Sequence, residues 1–596
     1  MPSSHCQNAD LYQIYSKLMH KEPVIIRQRE IPAGIDLDTD LDPLLQRIYL
    51  SRKISSKDEL DYGLKNLPSP MLMKGMLEAV ALITEVLEAD SKILIIGDFD
   101  VDGATSTCVM VKGLQAMGAS QVGFLVPDRF KFGYGLTPEI VEVAAQQSPD
   151  LIITVDNGIA SIEGVAAAKE LGIRVLVTDH HLPGIELPAA DAIINPNQPG
   201  DSFPSKNIAG VGVAFYLLLA LRSSLRENNW FARQQLAEPN LAELLDLVAL
   251  GTVADVVPLD HVNRILVKQG LARINNSMAC AGILALLDVA NRKPGNLAAS
   301  DLGFAVAPRL NAAGRIENMA IGIECLLAED DENAHQIAAR LDSINMERRA
   351  IEGEMKKQAL NDLKKIQLNE EMDIPLGLCI YDQNWHQGII GILAARIKER
   401  FHRPVIAFAP AGEEQEGLKG SARSIPGLHI RDVLDAVATR HPGLITRFGG
   451  HAMAAGLSLQ HDSYESFRHA FNEEVERQLG DMPLEKVLLT DGELDASELH
   501  LATAMLLRQS GPWGQLFPEP LFEGDFDVID KRIVGKSHLK MQLSAGDRPI
   551  DAIMFNIRDG DESMARGKVR VVYKLDVNEF RGRKSVQLMI EHLQPG

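Results

Sequence analysis

The sequence predicts an α/β protein built on a doubly wound, mainly parallel sheet, with a smaller α/β region and a β-barrel further along the chain. Three observations carry this prediction. Short, β-rich apolar runs alternate with helical stretches from residue 91 to about 200, which is typical of a parallel sheet. A similar alternation returns over residues 376–479. From about residue 521 the pattern changes to five closely spaced strands, which favours a small barrel.

Length and composition limit the class of protein. At 596 residues the chain is too long for one core, and about three or four domains are expected. The 46% hydrophobic content and the mean hydropathy of -0.03 are those of a soluble globular protein. No apolar run approaches the ~18 residues that a membrane span requires, and the N-terminus does not have the pattern of a secretory signal. We therefore expect a cytoplasmic protein with no membrane partner.

Cysteine usage and charge narrow the chemistry further. The five cysteines are widely spaced and form no CxxC pair, which argues against disulfides and against a thiolate zinc site. The net charge of -21 is not that of a typical nucleic-acid binder. A local basic groove can nevertheless act within an acidic protein, so the charge alone does not exclude such a partner.

The elements of the two α/β regions follow from the apolar periodicity. Residues 1–90 and 213–290 are expected to be mostly helical. The runs expected as strands of the first sheet are KILIIG, QVGFLVP, DLIITVDNG, RVLVTDHH and DAIINPN, with helices near 104–117 and 161–171. The second region has the strands LGLCIYD and PVIAFAP, with helices at 389–401, 428–439 and 463–479. Between the two regions, residues 331–366 contain no proline and carry apolar residues at helical spacing, which predicts one long connecting helix.

Strong metal ligands follow three of the predicted strands. These residues are Asp98, Asp100 and Asp102 after the first, Asp156 after the third, and Asp179, His180 and His181 after the fourth. Ligands of open α/β sheets bind at the carboxyl ends of the strands, so these side chains converge if the strands are neighbours. That many carboxylates cannot be buried together without cations. Two divalent ions about 4 Å apart would neutralise them and form a phosphoryl-transfer site.

Simpler interpretations of these acids also exist. The pentapeptide GDFDV recurs at 524–528, where Asp525 and Asp527 are expected on the solvent face of a strand, so the letters alone prove little. The TDHH run could also cap a helix. A calcium loop is disfavoured because its twelfth position is Val109 and because a strand, not a helix, precedes it. The coincidence of three strand ends favours the metal site.

These motifs resemble those of the DHH phosphoesterase superfamily, in order and over residues 91 to 456. The resemblance rests on DFDVDGATS, VDNG, TDHH, ALGTVADVVPL, RLNAAGR, GSARS and FGGHAMAAG, the last of which marks a DHHA1 domain. It implies residues 1–330 as the DHH domain with a helical N-terminal part, 331–369 as a connecting helix, 370–485 as the DHHA1 domain, and 486–596 as an OB-fold-like single-strand-binding domain. Within the superfamily, the architecture is similar to that of the bacterial 5′→3′ exonucleases.

The resemblance also implies roles for individual residues. The implied metal ligands are Asp98, Asp100, Asp102, Asp156, His180 and Asp255. Asp156 would bridge two ions, and His181 would point at the scissile phosphate. Hard oxygen ligands suit Mg²⁺ or Mn²⁺, and the added imidazole favours Mn²⁺.

Substrate contacts are expected in several motifs. Phosphate contacts are implied for Arg309, Asn311, Arg315, Ser421, Arg423, Ser424 and His451. A surface loop, or a glycine-rich helix start for the GGHAMAAG run, is the alternative. Basic and aromatic residues interleave in PDRFKFGYG, where Arg129 and Tyr134 are candidates for contact with unpaired bases. In the barrel, Arg581, Arg583 and Lys584 form either a single-strand contact or an ordinary charged hairpin.

The sequence is thus interpreted as a two-metal exonuclease that hydrolyses single-stranded DNA from the 5′ end, in DNA repair and recombination. The resemblance, and not the spacing of residues, supplies the polarity and the expected partners, a single-strand-binding protein and a helicase. We expect a monomer. A phosphoesterase for pyrophosphate or short oligonucleotides is one rival, but it would need neither the long helix nor the barrel. A non-catalytic DNA-binding scaffold is another, disfavoured because the ligands are all present.

Overall fold

The computed structural model describes residues 24–35, 37, 40–127, 135–365, 375–411, 417–450, 452–480, 486–535, 537–546, 548–557, 560–580 and 582–596. The chain divides into two compact units. The first comprises residues 28–346 and 490–596, and the second comprises residues 347–489 with the described residues up to 27. None of the helices in the described ranges combines the length and the apolarity that a membrane crossing requires.

A five-stranded sheet organises the first unit. Its strands are β1 Ile93–Gly97, β2 Val122–Leu125, β3 Leu151–Val155, β4 Arg174–Thr178 and β5 Ala192–Ile194. They lie in the order β2-β1-β3-β4-β5, and every neighbouring pair is parallel. All residues of β1 and β3 are buried, as expected for central strands covered on both faces. The doubly wound parallel sheet predicted from the sequence is confirmed.

Helices make up much of the rest of the first unit up to residue 330. They are α1 Pro43–Leu50, α2 Met76–Glu88, α3 Val101–Ala116, α4 Pro138–Ala145, α5 Ile162–Glu170, α6 Gly210–Glu227, α7 Trp230–Gln234, α8 Leu245–Ala254, α9 His261–Asn275, α10 Ala281–Val289, α11 Ala307–Ile316 and α12 Ala320–Leu327. A single π turn, Leu302–Val306, immediately precedes α11. The helical prediction for 213–290 is confirmed. The described part of residues 1–90 is less helical than expected, because short 3-10 turns occupy its proline-containing middle.

One long helix, α13 Asp331–Lys365, follows, as the sequence predicts. Its apolar stripe is buried at Leu341 and Ile344. The stripe weakens toward the C-terminus, where Ile351 is 39% exposed. The contact-based division of the chain falls within this helix, between residues 346 and 347.

The second unit contains a mixed five-stranded sheet. Its strands are β6 Leu378–Tyr381, β7 Val405–Pro410, β8 Leu418–Arg423, β9 Arg447–Gly450 and β10 Ala454–Leu459, in the order β9-β10-β8-β7-β6. Only the β6–β7 pair is parallel. The helices are α14 Gln387–Phe401, α15 Ile430–Arg440 and α16 Tyr464–Leu479. The sequence did not predict β8–β10, and the helix start considered for the glycine-rich GGHAMAAG run is wrong, because its described residues belong to the β9–β10 hairpin.

A closed barrel completes the first unit. Its strands are β11 Phe522–Val534, β12 His538–Ala545, β13 Arg548–Met554, β14 Lys568–Phe580 and β15 Arg583–Pro595, accompanied by helices α17 Leu501–Gln509 and α18 Asp561–Met564. The prediction of five strands is confirmed. Within the second GDFDV copy, Phe526 is buried and Asp525 and Asp527 are exposed, as expected for a strand with one solvent face. A separate two-stranded sheet is formed by Ile25–Gln28 and Val487–Thr490.

Buried contacts hold the barrel region against the helices of the first unit. The guanidinium of Arg52 donates two hydrogen bonds to the carboxylate of Asp491, at 2.7 and 3.1 Å, and both side chains are almost fully buried. The rings of Trp513 and Phe517 both stack on the ring of Tyr49, and their centroids lie 6.0 and 6.3 Å from that of Tyr49. These contacts explain why residues 28–346 and 490–596 form one compact unit.

Candidate active site

The carboxyl ends of β1, β3 and β4 lie side by side and deliver acidic and imidazole side chains to one edge of the sheet. Their candidate ligand atoms form three overlapping groups, and within each group all atoms lie within 4.8 Å of one another. The groups are Asp98, Asp100 and Asp156; Asp156, His180 and His181; and Asp102, His180 and Asp255. All six metal ligands named from the sequence are therefore brought together. Asp156 and His180 each belong to two of the three groups.

Two acids of the cluster, Asp100 and Asp102, are fixed by helix N-termini. Asp100 is the N-cap of α3, and its Oδ1 accepts a hydrogen bond from the amide of Gly103 at 3.1 Å. Asp102 accepts hydrogen bonds from the amides of Gly210 and Val211, at 2.7 and 2.9 Å, where α6 begins. A carboxylate is favoured at this position because the N-terminus of a helix carries partial positive charge.

Asp156 lies at the centre of the cluster. It is 2% exposed and has a φ of 61°, a left-handed conformation that Asp tolerates better than most residues. The Nε2 atom of His180 is 3.1 Å from Oδ1 of Asp156 and 3.5 Å from Oδ2 of Asp255. A Cβ atom at Gly210 would lie 2.7 Å from Cβ of Asp156, so a glycine is required for α6 to begin against this acid.

The electrostatics of the cluster fit divalent cations. Burial raises the pKa of Asp156 well above its usual range, and the nearby carboxylates Asp102 and Asp100 raise it further. Burial and the charge of Asp255 likewise raise the pKa of Asp102 and of Asp100. These acids destabilise one another when ionised, so either protons or cations must compensate them. Carboxylate oxygens joined by one imidazole are a donor set suited to Mn²⁺ or Mg²⁺.

Asp179 has a different role from its neighbours. Its carboxylate accepts hydrogen bonds from the amides of Ile159, His180 and His181, and its Oδ1 lies 2.7 Å from Nδ1 of His181. Burial would raise the pKa of Asp179, but the hydrogen bond from His181, the charges of His181 and His180 and the amide of Ile159 together outweigh burial, and the pKa falls to about 2. Burial would lower the pKa of His181, but the hydrogen bond and charge of Asp179, together with the charges of Asp255 and Asp98, raise it to about 9. The pair thus holds His181 oriented and protonated beside the carboxylates.

Three asparagines that were not singled out from the sequence support the same edge. The side-chain amide of Asn157 donates to the carbonyl oxygens of Ile96 and Val155, at 3.1 and 2.9 Å, and joins the ends of β1 and β3. Asn195 donates to the carbonyl oxygen of His181, and Asn197 donates to that of His180. The available signal was their position, since VDNG and INPN each follow a strand directly.

Helix α11 places the RLNAAGR residues next to the cluster. A Cβ atom at Gly314 would lie 2.1 Å from the carbonyl oxygen of Phe99, so the helix contacts the loop between Asp98 and Asp100. Arg315 is exposed and Asn311 is half-buried. Arg309 differs from them, because its guanidinium is 2.8 Å from Asp342 and donates to the carbonyl oxygen of Ala305. Its observed contacts anchor the helix rather than present a free cation to a phosphate.

The second unit carries the GSARS residues on and just after β8. Arg423 lies 3.1 Å from the hydroxyl of Ser421, and both side chains lie close to Gly391 of α14. Because β8 lies between β7 and β10, its backbone amides are directed to neighbouring strands, so any contact of this strand with an anion must come from its side chains. Ser424 is fully buried and donates to the carbonyl oxygen of Leu428, so it stabilises the turn instead of facing a ligand.

The remaining candidates divide into two sets. Arg583 and Lys584 begin β15 in the hairpin that joins it to β14, and Lys584 is 3.8 Å from Glu579 across the hairpin. The hairpin itself is as expected, and its contact with a single strand stays a prediction. Arg129, Tyr134, His451 and Arg581 lie outside the described residues.

Comparison with known proteins agrees with this architecture. Residues 92–252 match the DHH family N-terminal domain, residues 375–477 the DHHA1 domain, and residues 490–592 the RecJ OB domain. A single-stranded-DNA-specific exonuclease RecJ from Dickeya dadantii is 53% identical over 577 residues, which cover 96% of this chain and 100% of that protein. The Escherichia coli protein of the same name is 50% identical over 579 residues, with the same coverage of 96% and 100%.

Solved structures extend the comparison to metal binding. RecJ from Thermus thermophilus in complex with Mn²⁺ matches with a TM-score of 0.75 at 28% identity, over 96% of this chain and 80% of that chain. The complex with Mg²⁺ matches with a TM-score of 0.69 at 27% identity, over 96% and 79%. With half of its residues identical to curated relatives over nearly their full length, the chain belongs to the RecJ family.

Proposed function

We propose that this protein is a metal-dependent exonuclease that hydrolyses the phosphodiester bonds of single-stranded DNA from the 5′ end and releases nucleotides. One observation carries the proposal, which is the buried carboxylate cluster at the ends of β1, β3 and β4, whose raised pKa values call for compensating cations. The names of the curated relatives support the reaction and the substrate. The polarity rests on the resemblance of the motifs to those of 5′→3′ exonucleases.

Two divalent ions would be held by Asp98, Asp100, Asp102, Asp156, His180 and Asp255. Bound in such a cluster, divalent ions polarise phosphoryl oxygens and lower the pKa of water. Asp156 belongs to two of the three ligand groups, which supports a role shared between both ions. The single imidazole among the oxygen ligands favours Mn²⁺ over Mg²⁺.

The other side chains would orient the strand. His181, kept protonated by Asp179, offers a cation beside the carboxylates for the phosphate that reacts. Asn311 and Arg315 would contact neighbouring phosphates, because they lie on α11, which packs against the Asp98–Asp100 loop at Gly314. Ser421 and Arg423 would hold the terminal phosphate, because a guanidinium next to a hydroxyl suits an anion.

The proposed role is in DNA repair and recombination in the cytoplasm. We infer that the protein acts as a monomer, and that a single-strand-binding protein and a helicase supply and expose its substrate. The barrel would hold the part of the strand that is remote from the reacting phosphate.

Cleavage of end-labelled single strands tests the proposal. A 5′-labelled strand should lose its label at once as mononucleotide, whereas a 3′-labelled strand should shorten progressively. Both reactions should stop when the divalent ions are chelated and resume when Mn²⁺ is added. Faster turnover of a dinucleotide than of a long strand would instead indicate a phosphoesterase for small substrates.

A further inference from the structure

One face of the segment 302–316 is left uncovered by the rest of the unit. Phe304 and Arg315 are exposed, and Pro308 and Asn311 between them are half-buried, with spacings of four, three and four residues. This spacing is that of a single helical face. The stripe combines an aromatic ring at one end with a guanidinium at the other, on the order of 15 Å apart along a helix of this length.

Both ends of this stripe contact elements that carry candidate metal ligands. At the Arg315 end, Gly314 packs against the carbonyl oxygen of Phe99, between Asp98 and Asp100. At the Phe304 end, a Cβ atom at Gly303 would lie 3.3 Å from Cγ1 of Val253, in the helix that Asp255 terminates. The segment that carries the stripe therefore packs on two elements that carry candidate metal ligands.

The exposure of Phe304 is unusual within the described residues. Its side chain is 80% exposed, and Phe555 of the barrel, at 48%, is the next most exposed phenylalanine described. Single exposed apolar residues are common and by themselves mean little. Phe304, however, belongs to the π turn Leu302–Val306, and such turns are found frequently at functional sites. Nothing in the fold of the unit requires an aromatic ring at this position.

Other apolar side chains border the same cluster. Val256 follows Asp255 directly, is 64% exposed, and has a φ of 60°, which is rare for a β-branched residue. Leu182 follows His181 directly and is 61% exposed. Carboxylates suited to metal ions, which in turn would bind a phosphate, are thus bordered by surface suited to an uncharged, flat group. A nucleotide unit presents these two kinds of surface, a phosphate and a base.

We propose that Phe304 is a positioning residue that stacks on an unpaired base next to the reacting phosphate and thereby selects single strands. This inference rests on the proposed nuclease function. Aromatic rings stack on any base, so the contact is tolerant of sequence, but it requires a base face that a duplex hides. Asn311 and Arg315 would hold the backbone on the same face while Phe304 holds the base.

Removal of a single base from the substrate tests this proposal. The substrates are 5′-phosphorylated single strands, either intact or with one abasic analogue placed at each of the first six positions. The enzymes are the full-length wild type and the variants Phe304→Ala, Phe304→Trp and Phe304→Leu. The half-saturating concentration and the maximal rate are measured in single turnovers with Mn²⁺. Leu77→Ala, at a 70% exposed residue of α2, is the control.

On the intact strand, Phe304→Ala should raise the half-saturating concentration about 5- to 150-fold, the range expected when one stacking interaction is removed. Phe304→Trp should retain binding, and Phe304→Leu should not. At one abasic position, the wild type should bind as weakly as Phe304→Ala, and the variant should lose nothing further. The melting temperature should stay at the wild-type value, because the side chain is exposed.

An equal loss by Phe304→Ala on the intact strand and on every abasic strand would overturn the stacking role. Equivalent binding by the Leu and Trp variants would also overturn it, since a general apolar contact would then suffice. If the wild type cleaves single strands and Phe304→Ala matches it throughout, the inference fails and the nuclease function stands. If the wild type cleaves no single strand, the proposed function fails and this inference fails with it.

Discussion

The Nδ1 atom of His181 lies 2.7 Å from Oδ1 of Asp179, a carboxylate that also accepts three backbone amides. This contact helps to raise the pKa of His181 to about 9. The two adjacent histidines of the TDHH motif therefore have different surroundings. The Nε2 atom of His180 faces the carboxylates of Asp156 and Asp255, whereas His181 is a cation beside its own counter-ion, Asp179.

Loss of that counter-ion should change the pH dependence of cleavage. In Asp179→Asn, the pKa of His181 should fall toward the ordinary value of about 6.5, so the ring loses its proton near neutral pH. We expect kcat at pH 8 to fall about 10- to 100-fold and the alkaline limb of the pH profile to move toward acid. Asp191→Asn is the control, because Asp191 accepts only from the amide of Val175 on β4. An unmoved alkaline limb would contradict the role given to His181.

Without bound metal, the free energy of unfolding should depend on pH and should fall as pH rises. The raised pKa values of Asp102 and Asp156 mean that the folded, metal-free protein binds more protons than the unfolded chain. The contribution of these retained protons to the free energy of unfolding is complete below the ordinary carboxyl pKa of about 4 and is lost as pH rises. His181, with its pKa raised from 6.5 to about 9, contributes a loss in the same direction.

The free energy of unfolding in the presence of a chelator should therefore fall from pH 5 to pH 8.5, by up to about 1.4 kcal/mol per pH unit for each proton retained. Calorimetry of the full chain over this range is the measurement. Saturating Mn²⁺ should flatten the dependence, and Asp102→Asn should flatten it partly without metal. A metal-free protein that becomes more stable as pH rises would show that the acids do not repel one another as described.

The terminal phosphate is the proposed ligand of Arg423. Arg423→Ala should weaken binding of 5′-phosphorylated strands about 10- to 150-fold more than binding of 5′-hydroxyl strands, as expected for one charge-assisted hydrogen bond. Arg396→Ala on α14 is the control, because that arginine pairs with Glu399 at 2.6 Å. Equal losses on both substrates would mean that Arg423 supports the sheet and does not recognise the strand end.

The barrel hairpin offers a basic track for longer strands. Removing one phosphate-binding cation should reduce the salt slope of single-strand binding by about 0.7, so replacing Arg581, Arg583 and Lys584 with Ala should reduce it by up to about 2. Binding is measured over a range of salt concentrations in a cleavage-deficient Asp156→Asn background. When Asp156 is intact, the hairpin variant should cleave very short strands at the wild-type rate. The control is the triple Ala variant of three glutamate-paired arginines, Arg222, Arg226 and Arg233. An unchanged slope would place the strand elsewhere.

The convergence of the acids could be predicted because it follows from topology. Parallel strands end at one edge, so Asp98 and Asp156 must approach if β1 and β3 are neighbours. The role of Asp179 could not be predicted in this way, since the sequence does not tell which oxygen faces a metal and which accepts amides. The strands β8 to β10 were missed because glycine, serine and alanine have low strand propensity, and here pairing with neighbours decides the structure.

Contacts between distant segments leave no local pattern in the sequence. The buried pair of Arg52 and Asp491 is separated by 439 residues, so the packing of the barrel region on the helices of the first unit is visible only in three dimensions. Phe304 could not be singled out from the sequence for a related reason. It stands among other apolar residues there, and its functional interest lies in its exposure in the folded protein.

Asp156 is proposed to join two ions in one catalytic cluster. The most direct test is the number and magnetic coupling of bound Mn²⁺ ions, measured by titration and electron paramagnetic resonance on the full chain and on Asp156→Asn. Asparagine suits this position, because it tolerates the φ of 61° and removes only the charge. The wild type should bind two coupled ions, whereas the variant should show no coupling, below a few per cent of wild-type cleavage, and undiminished stability without metal. Full activity with a single ion, or coupling and cleavage retained in Asp156→Asn, would contradict the account.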